Sequence, residues 1–180
     1  ASFTSNLISN TYVSRPTDPV LNTNGTYFTD PNVFQYINPY AVAQTVVNEQ
    51  IVNNLFGSLK TDLEIVKGLK ASWFGSWRKL DGNSGYYLPE VSTVASAIDQ
   101  HGIANINNWH EDEKLTDLSL NYKSTFGKHT LDAIAVYEWQ RQTYNGNFTQ
   151  MKGFINDITT FNALQNGDFS KIVSGDINSY

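Results

Sequence analysis

The chain has 180 residues, a net charge of −5, no cysteine, and 13% aromatic against 16% charged residues. Without a basic patch it is not expected to bind nucleic acid. Without a thiol it has no disulfide, thiolate metal site or cysteine nucleophile. Its longest apolar run, Ala133 to Tyr137, is too short for a transmembrane helix or a signal-peptide core. Barrel strands alternate and give no hydropathy peak, so a mean hydropathy of −0.37 leaves two classes open: a secreted binding domain and a segment of outer-membrane barrel.

Residues 1–14 have weak periodicity and read as the tail of a preceding element. From Arg15 the punctuation is dense. Pro16, Pro19, Pro31 and Pro39 predict an ordered loop over about 15–45, with a two-residue hairpin turn at Asn24-Gly25. Within that stretch, helical turns and extended chain both fit 40–49.

Period-two alternation then sets in and predicts two long hairpins, about 51–80 and 114–144. In the first, Leu59, Leu63, Leu69, Ala71 and Trp73 share a face opposite Lys60, Asp62, Glu64 and Arg78. In the second, Leu118, Leu120, Tyr122, Leu131 and Ala135 oppose Asp117, Ser119, Lys123, Asp132 and Glu138, although Ile134 and Val136 intrude on the polar face. Matching apolar faces in the first hairpin needs an odd loop, supplied by Val66-Lys67-Gly68 with Gly68 left-handed. The second needs an even loop within Gly127–Thr130, which pairs Phe126 with Leu131. The remaining stretches, about 81–113 and 145–180, read as long loops, and loops of that length are uncommon in compact soluble domains.

No constellation for catalysis emerges, and the chain does not read as an enzyme. His110-Glu111-Asp112-Glu113 projects in alternating directions, so it reads as a charged, solvated segment rather than a metal site. His101 and His129 lack ligand spacing. Asp81-Gly82-Asn83-Ser84-Gly85 lacks a calcium loop's ordered ligands and closing Glu, and reads as a turn. Asp62 and Glu64 form a carboxylate pair that Lys60 turns into an ordinary polar wall. Asn24 and Asn147 head Asn-x-Thr triplets, glycan acceptors only in a eukaryotic secreted protein. No catalytic residue, metal ligand or cofactor is assigned, and the substrate-binding residues are unknown.

Five segments resemble, in order, the barrel of SusC/RagA-type TonB-dependent outer-membrane transporters. They are RPTDPVLNTNGTYFTDP with INPYAVA, LKTDLEIVKGLKASWFGSW, YYLPE, LSLNYKSTFGKHTLDAIAVYEWQ, and GFINDITTFNAL. The chain departs from that pattern at Ile155, where Pro is usual, and at Val136, where Gly is usual. The resemblance implies an all-β fold, an antiparallel transmembrane barrel of which residues 1–180 form part of the wall. No stretch resembles the family's plug. The resemblance further implies uptake of a large nutrient, a glycan or a peptide, across a bacterial outer membrane. The implied partners are a SusD-like surface lipoprotein, TonB through the missing N-terminal part, and outer-membrane lipid. By that reading the short turns are periplasmic and the loops 15–45, 81–113 and 145–180 extracellular. The alternative is a secreted β-sandwich carbohydrate-binding module, with Leu63, Ala71 and Trp73 buried against a second sheet.

In a barrel the Leu- and Trp-bearing face meets lipid and the charged face a wet lumen. Trp77 and Trp139, each eight residues above its strand's first paired residue, are then expected about 20 Å above the turns, at the outer edge of the apolar band. Phe126 is expected at the inner edge, and Trp77 is expected to cover the bare backbone of Gly57 across the hairpin.

Overall fold

The computed structural model describes residues 7–30, 32–33, 36–91 and 100–179. Five antiparallel strands form one open sheet in sequence order: β1 (Val47–Val66), β2 (Leu69–Leu88), β3 (Ile103–Phe126), β4 (His129–Lys152) and β5 (Val173–Ser179). Two short helices, α1 (Leu7–Val13) and α2 (Pro39–Thr45), precede them.

Asn38 decides what the sequence left open at 40–49. Its side-chain oxygen accepts from the N–H groups of Tyr40 and Ala41, and Pro39 supplies a preset φ at the first helical position. Helix therefore runs to Thr45 and strand begins at Val47. Asn38 is buried, and its amide donates to the carbonyls of Val20 (2.8 Å) and Phe28 (3.2 Å), which ties the preceding loop to the helix start. The turn at Asn24-Gly25 forms as expected: Leu21 bridges Tyr27, and Gly25 has a φ of 82°.

The strands run well past the expected hairpins. Residues 81–88 and 103–113, expected as loop, are strand, and so are 145–152 and 173–179. Residues 92–99 of the expected loop lie outside the described residues. DGNSGYY looked like a turn because of its glycines. Neither Gly82 nor Gly85 has a positive φ, and each is a strand residue whose missing side chain makes room for a ring, Trp109 at Gly82 and Phe161 at Gly85.

The first hairpin has the expected register. Gly68 has a φ of 85°, and Ser72 donates to Asp62, the residue opposite it when Ile65 faces Leu69. The second differs. β3 ends at Phe126 and β4 begins at His129, so the turn is Gly127-Lys128 and Phe126 faces His129, two residues from the expected register. Gly127 has a φ of 61° and Lys128 no positive φ, the pattern of a II′ turn, which matches strand twist with a glycine at its first position.

The described residues form two units: 7–50, 83–107 and 147–175 in one, 51–82, 108–146 and 176–179 in the other. The first holds two apolar cores. Ile37, Val42, Leu88 and Ile103 form one; Tyr87, Ala104, Met151, Phe154 and Phe161 form the other. Leu88 and Tyr87 are consecutive on a strand, so the cores lie on opposite faces. The second unit is a single layer with no buried apolar side chain among the described residues.

Candidate functional site

The site is the second unit itself, a sheet whose two faces differ in chemistry. Leu59, Leu63, Leu118, Tyr137 and their face-mates stand exposed, Leu63 to 61% and Trp73 to 40%. Below Trp77 and Trp139 this face carries no Lys, Arg, Asp or Glu on any of β1 to β4. Above Trp77 charge begins at once. Lys79 and His110 hold Asp81 at 3.3 and 2.6 Å, and Lys114 holds Asp112 at 3.2 Å. The charge-free band, from Leu69 to Trp77 on β2, rises about 20 Å at a strand tilt near 40°, close to the apolar height of an outer-membrane barrel.

The two indoles that top the band share its face. Along β3 Trp77 stands level with Lys114 and Trp139 with Thr116, about 7 Å apart. The expected cover of Gly57 is not made: nothing comes within 4 Å of a Cβ built there. Trp77 instead turns toward β3, where its N–H donates to the Asp112 carboxylate at 2.9 Å, and Trp73 donates to the Thr116 hydroxyl at 2.8 Å. An indole N–H on an apolar face needs an acceptor, and across from Trp77 β1 offers only Gly57 between Leu55 and Leu59. On this face the glycine that does lie under an indole is Gly75, beneath Trp73.

The opposite face is a polar ladder. Arg78 and Gln140 flank Glu113 at 3.7 and 3.0 Å, and Gln142 donates to Glu111 at 2.8 Å. Lys123 and Asn121 approach Asp132, and Lys60 approaches Asp62. Asp62 and Glu64 thus lie opposite Trp73. The segment 110–113 splits as alternation requires: His110 and Asp112 bond on the Trp77 face, Glu111 and Glu113 on the ladder. Among the described residues no three His, Asp or Glu converge as metal ligands. His101 pairs with Glu90 at 2.9 Å, and His129 opens β4 in an exposed position. No helix among them is long and apolar enough to cross a membrane. Gln140 lies on the polar face as the alternation predicts, whereas Gln142, Tyr144 and Trp109 were missed as ladder residues; the signal was the same alternation continued beyond 114 and 140.

The first unit joins two of the segments on which the resemblance rests. The Tyr87 hydroxyl, from YYLPE, donates to Asp157, from GFIND, at 2.6 Å, and Phe154 packs edge-on to the Tyr87 ring at 5.4 Å. Burial, then the bond to Asp157, pushes the phenol far above its usual value. A raised pKa means the bond's contribution is complete below the unfolded value of about 10 and is lost as pH rises through the folded one. In a spectrophotometric titration one tyrosine should ionise well after the rest, and Tyr87→Phe should abolish that late step. The same change leaves Asp157, among the described residues, with only the Glu90 N–H (3.4 Å) and should destabilise the loop by about 1–3 kcal/mol, measured as faster amide exchange around Gly153.

No protein-family model matches the sequence. Over 161 residues the chain is 23% identical to TonB-dependent receptor P3 of Formosa agariphila, covering 89% of this chain and 16% of that receptor. The likeness is to a receptor rather than to an enzyme, and the open five-stranded antiparallel sheet is consistent with one part of a barrel wall.

Proposed function

We propose that this chain is a section of the barrel wall of a SusC-like TonB-dependent transporter that takes up a large nutrient, a glycan or a peptide, through a bacterial outer membrane. The observation that carries it is the charge-free, Trp-bounded face opposite a charged ladder in a sheet with no core. In water such a face would cost about 25 cal/mol for each Å² left exposed; lipid removes that cost. The 23% likeness to a TonB-dependent receptor supports the same reading. A second sheet over Leu63, Ala71 and Trp73, which the sandwich alternative requires, does not exist among the described residues. On this reading the polar ladder faces the lumen, the turns at Lys67-Gly68 and Gly127-Lys128 are periplasmic, and the first unit is extracellular. There it meets substrate and a SusD-like lipoprotein, while TonB engages a part of the receptor outside this chain.

Because the chain has no cysteine, single reporters test this without background. In intact cells a bulky membrane-impermeant maleimide should label Ile155→Cys, a position 90% exposed, and leave Lys128→Cys unlabelled until the outer membrane is permeabilised. Equal labelling of both in intact cells, or recovery of the protein outside the outer-membrane fraction, would sink the proposal.

A further inference from the structure

We infer that the Trp-bearing face carries a site for one anionic, phosphate-bearing membrane lipid, its headgroup between Lys114 and Arg141 and an acyl chain in a groove beside Trp77. The inference rests on the reading that this face meets lipid. With Phe126 facing His129 and Lys123 beside Asp132, the same register sets Lys114 directly opposite Arg141. Side chains so placed stand about 5 Å apart, and like charges there repel. Lys114 has a partner on its own strand, Asp112 at 3.2 Å. Arg141 is exposed and has no ion pair among the described residues. On this face above the band, Lys79, Lys114 and Arg141 stand against Asp81 and Asp112, and a lysine already holds each of those carboxylates. Arg141 is the cation left over. A phosphate between it and Lys114 would turn the repulsion into two attractions, and a guanidinium grips phosphate through two parallel N–H groups.

Height and shape say where that phosphate belongs. Lys114 is level with Trp77, and Arg141 stands two residues above Trp139, so the pair sits where the charge-free band ends. Directly below, the face is dished. Nothing lies within 4 Å of a Cβ built on Gly57. Both indoles tip toward β3, where they donate to Thr116 and Asp112. They leave a groove of about 480 Å³ lined by Gly57, Leu59, Trp73 and Trp77, with Lys114 at its upper end. From Trp73 to Trp77 the strand rises about 14 Å. An apolar groove of that length suits a hydrocarbon chain, and Lys114 joins it to the cation pair. A charged headgroup above an apolar chain is the chemistry of an anionic lipid.

The test uses the whole encoded receptor in lipid nanodiscs. They are doped with phosphatidylglycerol or phosphatidylcholine carrying a photoactivatable diazirine in one chain, and the cross-linked peptides are mapped. Phosphatidylglycerol should label residues 55–77 more strongly than phosphatidylcholine does. Lys114→Gln and Arg141→Gln should each lower that labelling about fivefold, one cation's share at an anionic lipid surface, and leave phosphatidylcholine labelling unchanged. Gly57→Leu has room for its side chain; it should fill the groove and cut labelling by both lipids with an unchanged unfolding midpoint. The inference is overturned if the two lipids label alike, or if the preference survives the charge variants or the filled groove. If neither lipid labels this segment in a receptor recovered from the outer membrane, a protein covers the face and the site falls alone. A receptor absent from that membrane loses the transport reading as well.

Discussion

Leu120→Arg should weaken folding into a bilayer by about 2–4 kcal/mol, the cost of a guanidinium held against lipid near mid-height. Leu120 lies inside the charge-free band, on the face where Trp73 bonds Thr116, and is 41% exposed. One residue earlier, Ser119→Asp faces the ladder and should cost less than about 1 kcal/mol. Urea titration of the receptor refolded into vesicles, followed by indole fluorescence, measures both. Equal costs would mean that the two faces do not meet different solvents.

Gly68→Ala should be the most damaging small substitution in the lower turns. Gly68 has a φ of 85°, and an added Cβ would strike the backbone carbonyl of Lys123. The left-handed conformation alone costs a non-glycine residue about 1–2 kcal/mol. A backbone atom cannot rotate aside as a side chain can. The turn must shift, and with it the bond from the Lys123 N–H to the Gly68 carbonyl, now 2.7 Å. Losing that bond where water is scarce adds about 1–3 kcal/mol. Gly127→Ala is the control: its φ is 61° and nothing lies within 4 Å, so only the conformational cost applies. Refolding yields in vesicles should therefore fall sharply for the first and modestly for the second.

Alternation made the two faces legible, because one hydrophobic pattern at period two fixes which residues share a side, whatever the register. That is why Asp62 and Trp73 were placed on opposite faces correctly. Register is a finer quantity. In the second hairpin, sliding the strands by two residues preserves every facing, so the pattern could not distinguish Phe126 facing Leu131 from Phe126 facing His129. Strand length was underestimated for a related reason. Asn, Ser and Gly dominate 81–86 and 105–108, and they read as loop when what holds them in strands is distant: Trp109 over Gly82 and Phe161 over Gly85. Asn38 shows the limit most plainly, for its cap was readable but its bonds to Val20 and Phe28 depend on a loop fold that no local rule predicts.

β1 is paired on one side only, by β2. Along its 20 residues every second N–H and C=O on the free edge points outward, a straight row of donors and acceptors at strand spacing. On the proposed barrel reading another strand of the same polypeptide occupies that row. Cut away from such a strand, the sheet offers a long template to any extended chain, including another copy of itself. Made alone, residues 1–180 should therefore collect in insoluble, edge-joined assemblies, and the chemistry of the faces would have little influence on that outcome.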